Sequence, residues 1–254
     1  MTDPLFDLTD RVVLITGGSR GLGAAMSLGL AERGAKVVIA SRKLDSCEQL
    51  AALINNKGGQ AFPLQCHVGE WESLDAVIDA AVSHYGRLDG LVNNAGMSPL
   101  APSLLDTSET LFDKVIGVNL KGPTRLTALA AQAMSSTGGG SIVNISSLAS
   151  VKQTPVAPIY GAAKAGLNAL TTATALEYAG VGVRVNCIIC GTFDTDAASG
   201  FVRNPDTLPG VVKPIALGRV GRPEEIVGAV VYLLSDASSY TTGSLMTIDG
   251  GVAG

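Results

Sequence analysis

Apolar residues along this chain come in short unbroken runs, separated by longer stretches in which they recur every three or four positions. The runs are RVVLIT (Arg11 to Thr16), AKVVIAS (Ala35 to Ser41), QAFPLQC (Gln60 to Cys66), LDGLVNN (Leu88 to Asn94), SIVNIS (Ser141 to Ser146), VRVNCII (Val183 to Ile189) and SLMTID (Ser244 to Asp249). Runs of this length, rich in β-branched residues, predict strands buried on both faces. The stretches Leu22 to Arg33, Leu44 to Asn56, Ser73 to Tyr85, Glu109 to Met134, Ile159 to Tyr178 and Glu224 to Leu234 predict helices. Strict β/α alternation implies right-handed crossovers between parallel strands. The predicted fold class is therefore α/β, a doubly wound parallel sheet of about seven strands with helices on both faces.

No linker, charge block or repeat divides the pattern, so residues 1–254 read as a single domain. SSTGGG, Ser135 to Gly140, predicts a flexible turn into the fifth strand. The one long irregular piece, Gly191 to Gly218, follows the sixth strand. Open α/β sheets bind ligands at the carboxyl ends of strands, and a loop of this length is usually functional, so the expectation is a mobile substrate lid around residues 192–217.

Composition narrows the partners. The chain is 46% hydrophobic and 16% charged, which fits a compact protein with much of its surface buried and excludes disorder. Its 18 basic against 22 acidic residues give a net charge of −4, so no global basic field exists to hold nucleic acid or an anionic membrane. MTDPLFDLTD lacks the basic and apolar regions of a signal peptide, and no apolar run nears the ~20 residues that span a bilayer. A cytoplasmic location is expected. Cys47, Cys66, Cys187 and Cys190 are scattered through ordinary elements and read as reduced thiols.

Candidate chemistry begins at TGGSRGLG, Thr16 to Gly23, between the first predicted strand and the first helix. Gly17, Gly21 and Gly23 permit backbone conformations closed to other residues and let the chain approach a diphosphate. The helix N-terminus adds unpaired N–H groups and a positive dipole end. With Ser19, Arg20 and Leu22 these glycines make a dinucleotide cradle, the fingerprint of a Rossmann fold. An acid at the end of the second strand would accept hydrogen bonds from the adenosine ribose and repel a 2′-phosphate. Ser41-Arg42-Lys43 stands there instead, and a guanidinium fork suits a phosphate, so NADP(H) is expected over NAD(H).

YGAAK, Tyr160 to Lys164, places a phenol and an ammonium one helical turn apart on one face. A free phenol has a pKa near ~10, and a neighbouring ammonium favours its ionised form. Nearby in the predicted fold are IVNISS, which brings Ser147 to the end of the fifth strand, and Asn119, a polar residue inside an otherwise apolar helix. Asn93-Asn94-Ala95-Gly96 closes the fourth strand. With its motifs TGxxxGxG, NNAG, internal helical Asn, Ser and YxxxK in that order, nearly the whole chain resembles the classical short-chain dehydrogenase/reductase (SDR) family. The ending GSLMTIDGG, Gly243 to Gly251, is similar to that family's last strand.

The resemblance implies roles. Tyr160 is the general acid for carbonyl reduction and the base for the reverse reaction. Lys164 lowers its pKa and binds the nicotinamide ribose, Ser147 polarises the carbonyl, and Asn119 orders a water linking Lys164 to solvent. Asn94, Ala95 and Gly96 lie beside the adenosine, while Thr195 and the Phe193 backbone meet the nicotinamide carboxamide. Ser147 is chosen over Ser146 because its spacing from Tyr160 matches the family pattern, which leaves Ser146 as a structural hydroxyl. The family often assembles as tetramers, so a homotetramer is implied.

Two positions depart from the pattern. His67, followed by Val68, stands where the family usually has an adenine-binding Asp, and it reads as a turn residue with an adenine contact. His84 reads as an exposed helix-end residue. Cys190 replaces a proline before Gly191, and with Cys187 it spells C-x-x-C. Residues three apart in a strand face opposite ways, and no second Cys/His pair completes a metal site, so the thiols read as buried and no metal is expected.

The expected pocket walls Met97, Leu148, Ala149, Pro155, Val156, Phe193 and the Phe201 to Val212 segment are mostly apolar, with Arg203 the one arginine. They suit a neutral, apolar ketone or secondary alcohol. A 3-oxoacyl thioester reductase is the rival enzyme, demoted because AQAMSSTGGG and LEYAGVGV lack basic residues to hold an acidic carrier. A non-catalytic NADP-binding sensor or scaffold is the rival of another class; such a module has no use for the Asn119, Ser147, Tyr160, Lys164 set.

Overall fold

The computed structural model of the chain describes residues 3–100, 103–153 and 155–252. Its strands are β1 (Val12–Thr16), β2 (Lys36–Ser41), β3 (Gln60–Gln65), β4 (Gly90–Asn93), β5 (Gly140–Ser147), β6 (Val183–Cys190) and β7 (Leu245–Ile248). They form one seven-stranded sheet in the order β3-β2-β1-β4-β5-β6-β7, and every pairing is parallel. The order reverses between β1 and β4, where the crevice of such a sheet opens. The principal helices are α1 (Gly21–Ala31), α2 (Leu44–Asn56), α3 (Leu74–Tyr85), α4 (Glu109–Ile116), α5 (Gly122–Ser135), α6 (Pro158–Tyr178), α7 (Ser199–Val202), α8 (Leu208–Val212) and α9 (Val227–Leu234).

Alternate residues of the central strands feed two cores. Val13 and Ile15 of β1 join Met26 and Leu30 of α1 and Val230 and Val231 of α9 on one face. Val12 and Leu14 join Leu74 and Ile78 of α3 and Leu126 and Met134 of α5 on the other. Both sets are buried, which is why the strands read as unbroken apolar runs.

The expected helix Glu109 to Met134 is broken. Between α4 and α5, Gly117–Lys121 forms a π-helical turn. Its cause is Asn119, whose Nδ2 donates to the Val115 carbonyl at 2.9 Å and so competes for the acceptor that the backbone ladder would use. Pro123, with no N–H, cannot return the i to i−4 bond to the Asn119 carbonyl. The segment expected to be irregular holds two short helices, α7 and α8, and β5 and β6 run one residue further than expected, to Ser147 and Cys190. Pro223–Ile226 opens the last helical segment as a 3-10 turn.

At the amino edge of the sheet, away from the carboxyl ends, Asp89 holds the strands in register. Its carboxylate accepts from the Val12 N–H at 2.9 Å and from Arg87 Nε and Nη2 at 3.0 and 2.6 Å, with the side chain only 2% exposed. Its backbone carbonyl accepts from the Ser141 N–H at 2.9 Å. Asp89→Ala is expected to lower the stability of the folded chain by about 3 kcal/mol, because it strands buried donors and removes a paired charge. Thermal and urea unfolding check this; an unchanged midpoint contradicts it.

Candidate active site

The glycine loop is shaped by its neighbours. Gly17 and Gly21 have φ of 62° and 53°, conformations that favour glycine. A β-carbon on Gly23 would collide with the Gly17 carbonyl oxygen, so α1 starts as close to β1 as the backbone allows. No side chain caps α1: Arg20, its N-cap residue, makes no such bond and is exposed. The free N–H groups at this end are the donor set a diphosphate requires.

Asn94 ties the end of β4 to this loop. Its Nδ2 donates to the carbonyls of Thr16 at 2.9 Å and Gly17 at 3.2 Å, while the Asn94 and Ala95 N–H groups donate to Thr16 Oγ1 at 3.0 and 3.1 Å. At the end of β2, Ser19 Oγ donates to Ser41 Oγ at 3.0 Å, and Ser41 Oγ lies 3.1 Å from Cys47 Sγ. Arg42 and Lys43 are exposed beside them. Hydroxyls flanked by free cations form a donor set that fits a 2′-phosphate.

Beyond β3, His67 is half-buried, and its Nδ1 accepts from the Gly69 N–H at 3.2 Å. That bond assigns the proton of the neutral ring to Nε2, which is the donor left to meet a ligand. The Val68 side chain belongs to the core of β3, α3 and α5, so only its backbone is free for a cofactor. His84 is exposed and stacks on Phe62, with ring centroids 4.0 Å apart.

Tyr160 and Lys164 share the first turns of α6, whose Pro158 suits a helix start. Lys164 is buried to 3% exposure, and its Nζ donates to the Ile145 carbonyl at 2.8 Å, 5.9 Å from the Tyr160 ring centroid. Burial pushes its ammonium down to about 8, opposed by the nearby thiols Cys187 and Cys190. Burial also raises the Tyr160 phenol, against the lowering effect of a hydrogen bond from Ser147. Desolvation is the largest influence on the phenol, larger than the Ser147 hydrogen bond that opposes it.

Ser147 ends β5 and accepts at Oγ from the Ala149 N–H at 3.2 Å, which leaves its own O–H to donate. Ser146 Oγ donates to the Lys164 carbonyl at 3.3 Å, a structural role. Asn119 is fully buried: Nδ2 donates to the Met97 carbonyl at 2.8 Å, and Oδ1 accepts from the Met97 N–H at 3.2 Å. Its side chain therefore anchors the Met97 segment, and Pro123 offers no N–H to the Asn119 backbone carbonyl. A β-carbon on Gly96 would stand 3.0 Å from Asn119 Oδ1 and 3.7 Å from Lys164 Nζ, so this glycine keeps the ammonium's surroundings open.

After β6, Phe193 is buried and bridges to Gly221, and the Asp194 N–H donates to the Gly221 carbonyl at 2.8 Å. Thr195 reaches over the glycine loop, its Cγ2 3.4 Å from where a Gly21 β-carbon would be. Arg203 is held by Asp194 at 2.9 Å and Asp196 at 3.4 Å, which compensates its charge within this segment. Pro99, Leu111, Val115, Ala157 and Tyr160 line a narrow crevice, and of these the first four were not foreseen as pocket wall.

Cys190 packs in the core of β1, α1 and α9, whereas Cys187 faces α6, where its Sγ lies 3.5 Å from Asn168 Oδ1. Burial raises these thiols to about 12 and about 11, values at which neither is a nucleophile at neutral pH. Among the described residues no group of three or more His, Cys, Asp or Glu is placed to hold a metal ion. A buried ladder also went unforeseen: Asn93 Nδ2 donates to Asn144 Oδ1 at 2.9 Å and to Thr127 Oγ1 at 3.2 Å, and Asn144 Nδ2 donates to Thr171 Oγ1 at 2.9 Å. Asn93 and Asn144 face each other in the β4–β5 register, and polar residues inside two apolar runs were the available signal.

Comparison with known proteins places the chain in a family. The family model described as enoyl-(acyl carrier protein) reductase matches residues 17–253. Dehydrogenase/reductase SDR family member 4 from Bos taurus is 35% identical over 244 residues, covering 96% of this chain and 88% of that protein. Among solved structures, a short-chain type dehydrogenase/reductase from Mycobacterium marinum superposes with a TM-score of 0.92 at 35% identity, covering 98% of this chain and 97% of the other. A gluconate 5-dehydrogenase from Burkholderia cenocepacia J2315, in complex with NADP and tartrate, superposes with a TM-score of 0.93 at 31% identity over 98% of both chains. Sequence, sheet order and site geometry thus agree that the chain belongs to the short-chain dehydrogenase/reductase family of oxidoreductases.

Proposed function

We propose that this protein is an NADP(H)-dependent oxidoreductase that interconverts a neutral, apolar ketone and its secondary alcohol. The observation that carries the reading is the convergence of a raised Tyr160 phenol, its Ser147 hydrogen bond and the buried Lys164 ammonium at the carboxyl edge of the sheet. Gly17 to Gly23 and Ser41-Arg42 are the residues that would hold the cofactor, supported by their uncapped N–H groups, hydroxyls and free cations. When bound, the cofactor supplies or accepts the hydride.

The chain's own groups do the rest. Tyr160 gives its phenolic proton to the carbonyl oxygen in reduction and takes it back in oxidation. Ser147 donates a hydrogen bond to the same oxygen as charge develops there. Lys164 holds a positive charge near the phenol and favours the phenolate left behind. The Asn119 carbonyl holds a water through which Lys164 exchanges protons with solvent. The apolar crevice beside Tyr160 and the internal pairing of Arg203 favour an uncharged substrate. Exposed Leu176 on α6 and Leu245 on β7 support self-association, and the assembly proposed is a homotetramer.

The family model's description keeps a thioester reductase in view, so the test includes both kinds of substrate. Purified protein is assayed for NADPH and NADH oxidation with cyclic, aromatic and aliphatic ketones and with acetoacetyl and enoyl thioesters. The expected result is ketone turnover that prefers NADPH and falls by at least about a thousandfold in Tyr160→Phe. Turnover confined to thioesters assigns the rival reading, and cofactor binding without turnover of any substrate in the panel contradicts the proposal.

Arg42→Ala is expected to weaken NADPH binding by about ten- to a hundredfold while leaving NADH nearly unchanged, since it removes a charge-assisted contact to the 2′-phosphate. Titration calorimetry with both cofactors checks it; equal losses for the two contradict the assignment.

A pH dependence follows from Lys164. Its folded value of about 8 means that the ammonium is intact below that pH and disappears as pH rises through it. For ketone reduction, kcat/KM is expected to be level below pH 8 and to fall above it. Lys164→Arg, charged throughout, should carry whatever activity it retains to higher pH. A profile flat through this range, or the same fall in the arginine variant, contradicts the role.

A further inference from the structure

One buried chain of hydrogen bonds links the helix of Tyr160 to the turn that carries Ser147. On α6, one turn beyond Lys164, Asn168 is 7% exposed, and its Nδ2 donates to Ser150 Oγ at 2.8 Å. Ser150, 6% exposed, donates from Oγ to the Ser147 carbonyl at 2.6 Å. At the other end, the Cys187 thiol donates to Asn168 Oδ1 at 3.5 Å from β6. The donors run in one direction, from Cys187 through Asn168 and Ser150 to Ser147. The two links to Asn168 are buried and the Ser150–Ser147 link is part-buried, and under burial a hydrogen bond is stronger and an unmade one more costly than in water.

We infer that Asn168 and Ser150 are positioning residues, a strut that fixes the Ser147 hydroxyl against Tyr160. On its strand side Ser147 pairs with Cys190 of β6, and beyond it the sheet gives no further support. Ser147 lies at the end of β5, where the chain leaves the sheet for a short 3-10 turn, Leu148–Ser150, that its own Oγ caps. Lys164 is fixed separately by the Ile145 carbonyl, and on the path from Ser147 to Tyr160 residues 151–153 and 155–156 are exposed. The strut spans this excursion directly. It also gives Cys187 a use: the thiol satisfies the amide oxygen that Asn168 would otherwise bury without a donor. The inference rests on the reading of Ser147 and Tyr160 as the groups that meet the carbonyl.

The test compares Ser150→Ala, Ser150→Thr and Asn168→Asp with Ser147→Ala and Tyr160→Phe, measuring kcat, KM for the ketone, the NADPH dissociation constant and the unfolding midpoint. Asn168→Asp is close to isosteric and keeps the acceptor for Cys187. It replaces the donor facing Ser150 with an acceptor, which draws the Ser150 proton away from Ser147. Ser150→Ala and Asn168→Asp are each expected to lower kcat by about ten- to a hundredfold, with KM and the NADPH dissociation constant within about threefold of the parent. Ser150→Thr, which keeps the hydroxyl, should restore kcat to within about threefold.

The strut is overturned if Ser150→Ala or Asn168→Asp folds and retains full kcat, or if kcat and cofactor affinity fall together in proportion to lost stability. Should one of the two variants fail to fold, the other decides. If Ser147→Ala and Tyr160→Phe turn over like the parent, the active-site reading itself fails and the strut falls with it. If those two lose activity while the strut variants keep it, the site stands and the strut alone is wrong.

Discussion

In a parallel sheet built by right-handed crossovers, every strand ends on the same edge, and the helices that follow begin there. That constraint governs this molecule. It brings the Gly17–Gly23 loop, the Ser41-Arg42 corner, His67, the Asn94–Gly96 turn, Ser147 and the residues after Cys190 to one rim, although they are spread over most of the sequence. The order change between β1 and β4 opens the crevice where glycine loop and Asn94 meet. The opposite edge is left to stability, and Asp89 with Arg87 serves it there.

Burial is the second organising effect, and it acts on both candidate proton-handling groups. The same desolvation that lowers the Lys164 ammonium raises the Tyr160 phenol, so each is moved toward its neutral form. Opposing contacts limit the movement: the Cys187 and Cys190 thiols on the lysine, and the Ser147 hydroxyl on the tyrosine. The site is thus poised between a buried core that disfavours charge and a small set of polar groups that restores it. Buried amides supply the rigidity. Asn93 and Asn144 cross the sheet, Asn119 pins the Met97 segment, and Asn168 reaches the Ser147 turn.

Much of this was legible in the sequence. Period, length and alternation predicted all seven strands, because strands buried on both faces must be apolar throughout. The glycine loop was legible because its conformation and close approach exclude other residues. Other features were not. The break in the Glu109 to Met134 helix depends on an asparagine side chain taking a backbone acceptor, which apolar periodicity does not register. The direction of the Tyr160 shift depends on how much water the surrounding chain excludes, and spacing along a helix carries no such information. The Asn168 to Ser150 link joins positions 18 apart through side chains alone. Only the polar character of Asn168 on the Lys164 face hinted at it.

The central claim is that Tyr160 is held as a neutral phenol, ready to give a proton, by burial that outweighs its polar contacts. Carbon-13 labelling at the tyrosine ζ position, with the Tyr160 resonance assigned by its absence from Tyr160→Phe, reads that state directly by NMR as pH is raised. The account predicts that the Tyr160 signal stays at the phenol position beyond the pH near ~10 at which a free phenol ionises. A phenolate signal already present at neutral pH would contradict it, and would mean that the Lys164 charge, not burial, governs the site.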